Sequence, residues 1–207
     1  YCPVVAVNPS YPGPKQAGPD GERLRLKDKY FFDENLKYCM NCKRCEVACP
    51  SGVKIADLIH SARRRYSREM PELRDRILAS TDMMGKLARP FAPVVNSVVA
   101  SKPVKGVMDV MMDIDRERVF PKYTRNGFVR WFNREAREKQ KHYPMRVAFF
   151  HGCSTEFQHP EVGEAFVKVM NAVGVGVELI DEKCCGVAMI SNGLWNSAKR
   201  HAEHNVR

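Results

Sequence analysis

The sequence predicts an α+β chain in three parts: a helical region rich in cysteine, a helical basic middle, and the first part of an α/β unit with a parallel sheet. Three observations predict it. Four cysteines crowd into residues 39–49, with helical spacing before and after them. The positive charge is concentrated in residues 61–145, which carry 19 basic and 10 acidic side chains, a net +9 against +2 for residues 1–60 and −1 for residues 146–207. Beyond Pro144 the pattern becomes strand, helix, strand, loop, helix, an order that favours parallel strands. These shifts place domain boundaries at 1–68, 69–144 and 145–207. A hydrophobic fraction of 44% over 207 residues permits a buried core.

The run from Cys39 to Pro50 reads Cys-Met-Asn-Cys-Lys-Arg-Cys-Glu-Val-Ala-Cys-Pro. Its spacing, C-x2-C-x2-C-x3-C-P, is that of bacterial ferredoxin ligands to a [4Fe–4S] cluster. Thiolates two residues apart can curl round one cluster, and the proline turns the chain away after the last. The alternatives are zinc and a disulfide framework, but a structural zinc site ordinarily uses two separated Cys pairs. In two-cluster proteins the last Cys of such a run serves the other cluster. Cys39, Cys42 and Cys45 then need a fourth ligand from elsewhere. Cys2 is followed by Pro3, like the tail of an earlier run, and the chain does not begin with Met. We therefore expect a fragment in which Cys2, Cys39, Cys42 and Cys45 hold one [4Fe–4S] cluster. Cys49 would serve a second, whose other ligands precede residue 1. A stray terminal thiol is the other reading of Cys2.

Between these ligands Val4 to Gly21 reads as a loop, broken by Pro9, Pro12, Pro14 and Pro19. Short helical turns are expected at Leu24–Leu26 and Asp33–Tyr38, with Asp33 as N-cap. A helix from Ile55 to Arg68 has Ile55, Leu58, Ile59 and Ala62 on one face and Arg63, Arg64 and Arg65 toward its end. His60 reads as a packing histidine. Another helical stretch runs from Glu72 to about Ser80.

In the middle, Pro90 to Ser101 has no charge but is too short to span a bilayer. Val104, Val107, Met108, Met111, Met112 and Ile114 make an apolar face flanked by Arg89, Lys102, Lys105, Arg116, Arg118, Lys122, Arg125 and Arg130. With Phe128, Trp131 and Phe132 among those cations, the pattern fits a helix lying on a membrane surface. Packing on the protein's own core or on a partner is the equal alternative. Glu135 to His142 reads as a linker or helix end.

Arg146–Phe150 reads as a buried strand, Pro160–Val173 as a helix capped by Gly174, and Val175–Ile180 as a second strand. A glycine-bearing loop and a helix from about Leu194 follow. Cys153 falls after the first strand, and Cys184 and Cys185 after the second. Parallel strands put both ends on one sheet edge, where ligands sit, so the three thiols can converge on a cofactor. Gly186 lets the backbone approach it. Buried structural thiols are the alternative. His151 and His159 flank the group without reading as ligands. No Gly-rich nucleotide fingerprint and no Ser-His-Asp set is present, so no catalytic residue is assigned. Eight cysteines grouped in this way suit a reduced compartment.

The ferredoxin run and the Cys…Cys-Cys-Gly unit together resemble electron-transfer subunits with CCG domains, the heterodisulfide-reductase-like proteins and the iron–sulfur subunits of glycolate and lactate oxidation. Tyr11 to Arg25, Tyr38 to Pro50, Val147 to Cys153 and Lys183 to Gly186 are similar to the family of iron–sulfur subunits of anaerobic glycerol-3-phosphate dehydrogenases. The resemblance implies a helical two-[4Fe–4S] ferredoxin-type domain, a basic connecting region, and the start of a CCG domain that holds a further cluster. The family's full chain has two ferredoxin runs and two CCG units, of which this sequence keeps part.

The resemblance further implies an FAD-containing catalytic subunit and a further dehydrogenase subunit as partners, and menaquinone as acceptor. It places the chain peripherally on the cytoplasmic face of a bacterial inner membrane. The chain alone would be a non-catalytic relay. Service to a glycolate or lactate oxidase is the nearest alternative. An iron–sulfur or zinc protein binding nucleic acid through the basic middle is a reading of another class; no nucleic-acid partner is expected.

Overall fold

The structure, a computed structural model, describes residues 1–31, 33–67 and 71–207. In chain order the helices are α1 (Gly21–Lys27), α2 (Arg44–Val47), α3 (Ile55–Tyr66), α4 (Leu73–Ala79), α5 (Thr81–Ala88), α6 (Ala92–Ala100), α7 (Lys102–Met112), α8 (Phe128–Trp131) and α9 (Arg137–Gln140). Strand β1 (Met145–Phe149), α10 (Gly152–Phe157), α11 (Pro160–Ala172), strand β2 (Val175–Leu179), α12 (Val187–Ser191) and α13 (Trp195–Asn205) complete it. The chain divides into two compact units, Tyr1–Ala79 with Gly186–Lys199, and Ser80–Cys185 with Arg200–Arg207.

In the first unit α3 buries the face its spacing predicts: Ile55, Ala56, Ile59 and Ala62. They join Tyr11, Ala17 and Leu36 in one core, and Cys2, Cys39, Cys45 and Cys49 pack against it. Arg68, the expected end of this helix, lies outside the described residues. Asp33 caps its turn as expected, accepting from the Asn35 N–H at 2.9 Å. The stretch Val4–Gly21 is not irregular throughout. Gln16–Asp20 forms a π-helical turn that runs into α1. Gly18 is there for close approach, since a Cβ would stand 3.0 Å from Ile55 Cγ2. Its glycine thus reports packing on α3 rather than a turn. The segment from Gly186 adds α12 and the first part of α13, whose Met189 and Ala198 close a small core with Ala79.

The second unit contains the sheet. β1 and β2 pair in parallel, from Met145 opposite Val175 to Phe149 opposite Leu179, with α10 and α11 forming the crossover. β2 is buried over Val175–Val177, but β1 is not the buried strand its composition suggests. Only Val147 and Phe149 face the core, and Met145 and Arg146 are exposed. With one paired neighbour, β1 alternates like a strand covered on one face.

That cover decides two further readings. Residues 128–140 are helical almost throughout, through a π-helical stretch Phe132–Ala136. Phe128, Phe132 and Ala136, four residues apart, enter the core with Val167 and Val177. Phe128 is completely buried, so Phe128 and Phe132 are core residues, not membrane-surface aromatics. Helical period outweighs the neighbouring cations. Of the two readings of Glu135–His142, linker or helix end, the second holds: α9 closes at Gln140. Gln140 is buried; its Oε1 accepts from the Val177 N–H at 2.9 Å and its Nε2 donates to the Ala136 carbonyl at 3.1 Å.

Phe128 also packs on Gly163 of α11, where a Cβ would lie 2.5 Å from the ring. Phe128→Ala should cost about 3–5 kcal/mol, read as a lowered thermal midpoint. Gly163→Ala should destabilise by about 1–3 kcal/mol through overpacking.

Candidate metal centre

Cys2, Cys39, Cys42 and Cys45 line one cavity of the first unit, with Val4, Tyr11, Ala56 and Ile59 among its other walls. Cys49 is not among its lining residues; it packs, half-buried, on the adjacent core. Cys42 is exposed at the mouth. Tyr11 is almost fully buried and lines the cavity with the cysteines. Burial, then the facing thiols, pushes the Tyr11 phenol up. Burial is also the first cause that raises the Cys39 and Cys45 thiols. Against this, the Asn41 backbone lowers the Cys39 thiol.

The loop that presents these cysteines is bent in an unusual way. Asn41 (φ 55°) and Lys43 (φ 62°) both lie in the left-handed region although neither is glycine. Asn tolerates that region; Lys does not adopt it readily. Left-handed residues set between right-handed ones turn successive N–H groups to one side, the concave arrangement found around phosphates and iron–sulfur sites. Glu46 holds the loop in place. Its side chain is only 9% exposed, and Oε1 accepts from the Ala56 N–H at 3.0 Å and from Lys43 Nζ at 3.2 Å. Lys43 also pairs with Asp57. The N-cap of α3 is Lys54, which offers no acceptor, so Glu46 caps that helix from a distance. Sequence reasoning missed Glu46. The available signal was a helix start without its own capping side chain and an acid inside the cysteine run. Ser191 adds a further tie, its Oγ donating to the Met40 carbonyl at 3.1 Å.

In the second unit Cys153 and Cys184 converge, Sγ to Sγ at 3.6 Å. Cys185 is exposed and stands outside that group. Thr81 Oγ1 donates to the Cys184 sulfur at 3.3 Å, and Asp82 Oδ2 accepts from the Cys184 N–H at 3.0 Å. The hydrogen bond with Cys184, then burial, raises the Cys153 thiol. Glu182 anchors the loop after β1, accepting from the His151 and Gly152 N–H groups at 2.9 and 2.6 Å. His151 Nδ1 is engaged with the Gly152 carbonyl at 3.1 Å, and His159 with Glu161. Gly186 has a structural reason of its own. At φ +81° it begins α12, and a Cβ would stand 3.3 Å from Ala198.

Comparison with known proteins matches a 4Fe-4S dicluster domain to residues 1–53 and a cysteine-rich (CCG) domain to residues 147–207. The chain belongs to the iron–sulfur proteins that join these two domains. It is 53% identical over 206 residues to one subunit of the anaerobic glycerol-3-phosphate dehydrogenase of Escherichia coli (strain K12), 99% of this chain and 52% of that protein. It is 25% identical over 189 residues to a probable glycolate oxidase iron–sulfur subunit of Bacillus subtilis, covering 84% and 42% of the two chains. Over 222 aligned residues it is 23% identical to one subunit of a fumarate reductase (CoM/CoB) of Methanothermobacter marburgensis, covering 100% and 36%. The chain spans about half the length, or less, of these relatives. No solved structure matches it. A cavity walled by four cysteines beside a loop of left-handed residues suits the iron–sulfur clusters of such proteins.

The iron–sulfur protein also buries a histidine beside this centre. His60 is 5% exposed, and neither ring nitrogen has a hydrogen-bond partner among the described residues. Its ring meets Trp195 edge-on at 5.8 Å. Burial, then the Arg63 and Lys43 charges, lowers its pKa to about 4, with Asp57 opposing. The folded chain therefore takes up the proton later than the unfolded chain as pH falls. Stability should be full above about pH 6.5 and decline toward pH 4, by at most about 3 kcal/mol. Denaturant titrations at pH 7.5 and 4.5 check this, and His60→Phe should flatten that decline.

Proposed function

We propose that the chain is the electron-transfer subunit of a quinone-linked glycerol-3-phosphate dehydrogenase. In this reading Cys2, Cys39, Cys42 and Cys45 hold one [4Fe–4S] cluster, and Cys49 serves a second. The observation that carries it is the shared cavity, walled by a cysteine from residue 2 and three from residues 39–45. Spacing between the sulfurs supports a cluster over zinc. Among the described residues no three of these cysteines bring their sulfurs within 4.8 Å of one another. One tetrahedral zinc ion would hold its thiolates about 3.8 Å apart, from bonds of about 2.3 Å.

When bound, the clusters accept and pass single electrons at potentials of roughly −700 to +450 mV, set by burial and hydrogen bonds to sulfur. The chain's own residues supply that setting. Tyr11, Ala56 and Ile59 line the wall of the cavity and exclude water from it, while the Asn41 backbone and Tyr11 favour the Cys39 thiolate against the burial that opposes it. The proposed donor is an FAD-containing subunit and the proposed acceptor is menaquinone. Support for that assignment is the 53% identity to the Escherichia coli dehydrogenase subunit.

The reading also places the chain peripherally on the cytoplasmic face of the inner membrane. No helix among the described residues is long and apolar enough to cross a membrane. The consecutive helices α6 and α7 instead leave Val94, Val98, Val107, Val110 and Met111 exposed, Val110 at 84%. Lys86 and Lys102 are exposed in the same region. Apolar side chains beside cations suit an anionic lipid surface.

Anaerobic reconstitution should load about four irons and four sulfides at the first centre, the composition of a single [4Fe–4S] cluster. Cys39→Ser or Cys2→Ser should abolish the visible absorption; Cys49→Ser should spare it. Loss with Cys49→Ser and retention with Cys2→Ser would overturn the assignment. Co-purification with a glycolate or lactate oxidase flavoprotein instead would redirect the partner.

Replacing Val94, Val98, Val110 and Met111 with Ser should weaken binding to anionic vesicles at least about tenfold, an effect of about 1.4 kcal/mol. Unchanged binding would make α6 and α7 a protein contact.

A further inference from the structure

The cysteine run of the first unit is held from a distant part of the chain. Ser191, the last residue of α12, donates from its Oγ to the Met40 carbonyl at 3.1 Å. Arg63 of α3 in turn donates from Nη1 to the Ser191 carbonyl at 3.1 Å. Met189 of the same short helix packs with Ala79 and Ala198, which seats α12 in this unit. Ile59 and Ala56, one and two turns before Arg63 on α3, line the cavity, and so does Met40. One connected path therefore runs from the cavity wall through Arg63 and Ser191 back to the cysteine run.

The Met40 carbonyl belongs to the peptide that links Met40 to Asn41. A trans peptide is planar, with its C=O and its N–H on opposite sides. Fixing the carbonyl on Ser191 thus fixes the direction of the Asn41 N–H. Asn41 itself has φ 55°, so this peptide is turned away from the direction that an ordinary right-handed run would give it. Burial raises the Cys39 thiol, and among the influences that oppose burial the Asn41 backbone comes first. The peptide that Ser191 holds is the one that bears on a ligand sulfur.

We propose that Ser191 is a positioning residue for electron transfer at the first centre: by holding the Met40 carbonyl it aims the Asn41 N–H at the Cys39 sulfur and raises the potential of a cluster bound there. The proposal rests on the reading that Cys2, Cys39, Cys42 and Cys45 hold a [4Fe–4S] cluster. Reduction adds negative charge that the ligand sulfurs share, so a donor aimed at one of them favours the reduced state; hydrogen bonds to sulfur are among the levers that set these potentials. Donation from the Ser191 hydroxyl also polarises the peptide and strengthens its N–H as a donor. Ser191 lies in the stretch matched by the cysteine-rich domain and Met40 in the stretch matched by the dicluster domain. A residue of the one domain tunes the cofactor of the other across 151 positions of sequence, a separation at which no local pattern marks it.

The test is the midpoint potential of the first cluster in the anaerobically reconstituted chain, followed by EPR through a redox titration. The signal that counts is the one lost in Cys39→Ser. Ser191→Val and Ser191→Thr have nearly the same shape, and only the second keeps the hydroxyl. Ser191→Val and Ser191→Ala should move the cluster to lower potential, so that the ratio of reduced to oxidised cluster at a fixed solution potential falls at least about twofold. Ser191→Thr should keep the original value. Iron and sulfide content and circular dichroism should stay the same in all three, which separates a change of potential from a loss of structure. An unchanged potential in Ser191→Val and Ser191→Ala would overturn the proposal. A shift in Ser191→Thr as large as that in Ser191→Val would overturn it too, because the hydroxyl would not be the cause. An unsubstituted chain that loads no iron–sulfur cluster would overturn instead the reading on which the proposal rests.

Discussion

One carboxylate holds the first centre together. Glu46 sits inside the cysteine run, yet its oxygen accepts from the opening turn of α3 and from Lys43. That bond seats the run on α3, and Ala56 and Ile59 of the same helix form the inner wall of the cavity. Acceptance by a nearly buried, ionised group is the stronger kind of hydrogen bond. It also supplies the capping that Lys54 cannot. Without it the left-handed bends at Asn41 and Lys43 would have to hold their strained geometry unaided, at about 1–2 kcal/mol per residue. The loop, the helix and the cysteines are thus one cooperative element, and whatever the thiols bind adds to its stability.

The two groups of cysteines differ in how their sulfurs are spaced. In the first unit four of them line one cavity. In the second Cys153 and Cys184 come to 3.6 Å with a carboxylate beside them. The basic middle region separates into a buried part and an exposed part. Phe128 and Phe132 go inward, while α6 and α7 keep valines and methionines at the surface among lysines.

Much of this was legible in the sequence where spacing carries the information. The C-x2-C-x2-C-x3-C-P run and the Cys2-Pro3 pair named the side chains that line the cavity, and the strand–helix–strand order gave the parallel pairing. Period four at Ile55, Ile59 and Ala62 gave the buried face of α3. What stayed hidden depends on distant contacts. Gly18 looked like a loop residue because its reason is Ile55. For Phe128 and Phe132 the neighbouring arginines left a lipid surface and the protein's own core equally open, and only the contacts with Val167 and Val177 decide for the core. Glu46 and Asp82 act on groups 10 and 102 residues away in sequence; an uncapped helix start was the one signal for Glu46, and no local pattern marks Asp82.

The central claim is that Cys2 shares a cluster with Cys39, Cys42 and Cys45. Differential alkylation of the anaerobic holoprotein, read by mass spectrometry, tests it most directly. The account predicts that Cys2 is shielded together with those three while iron and sulfide are bound, and that all four become reactive together once iron is chelated. Labelling of Cys2 while the other three remain shielded and the cluster stays intact would contradict it.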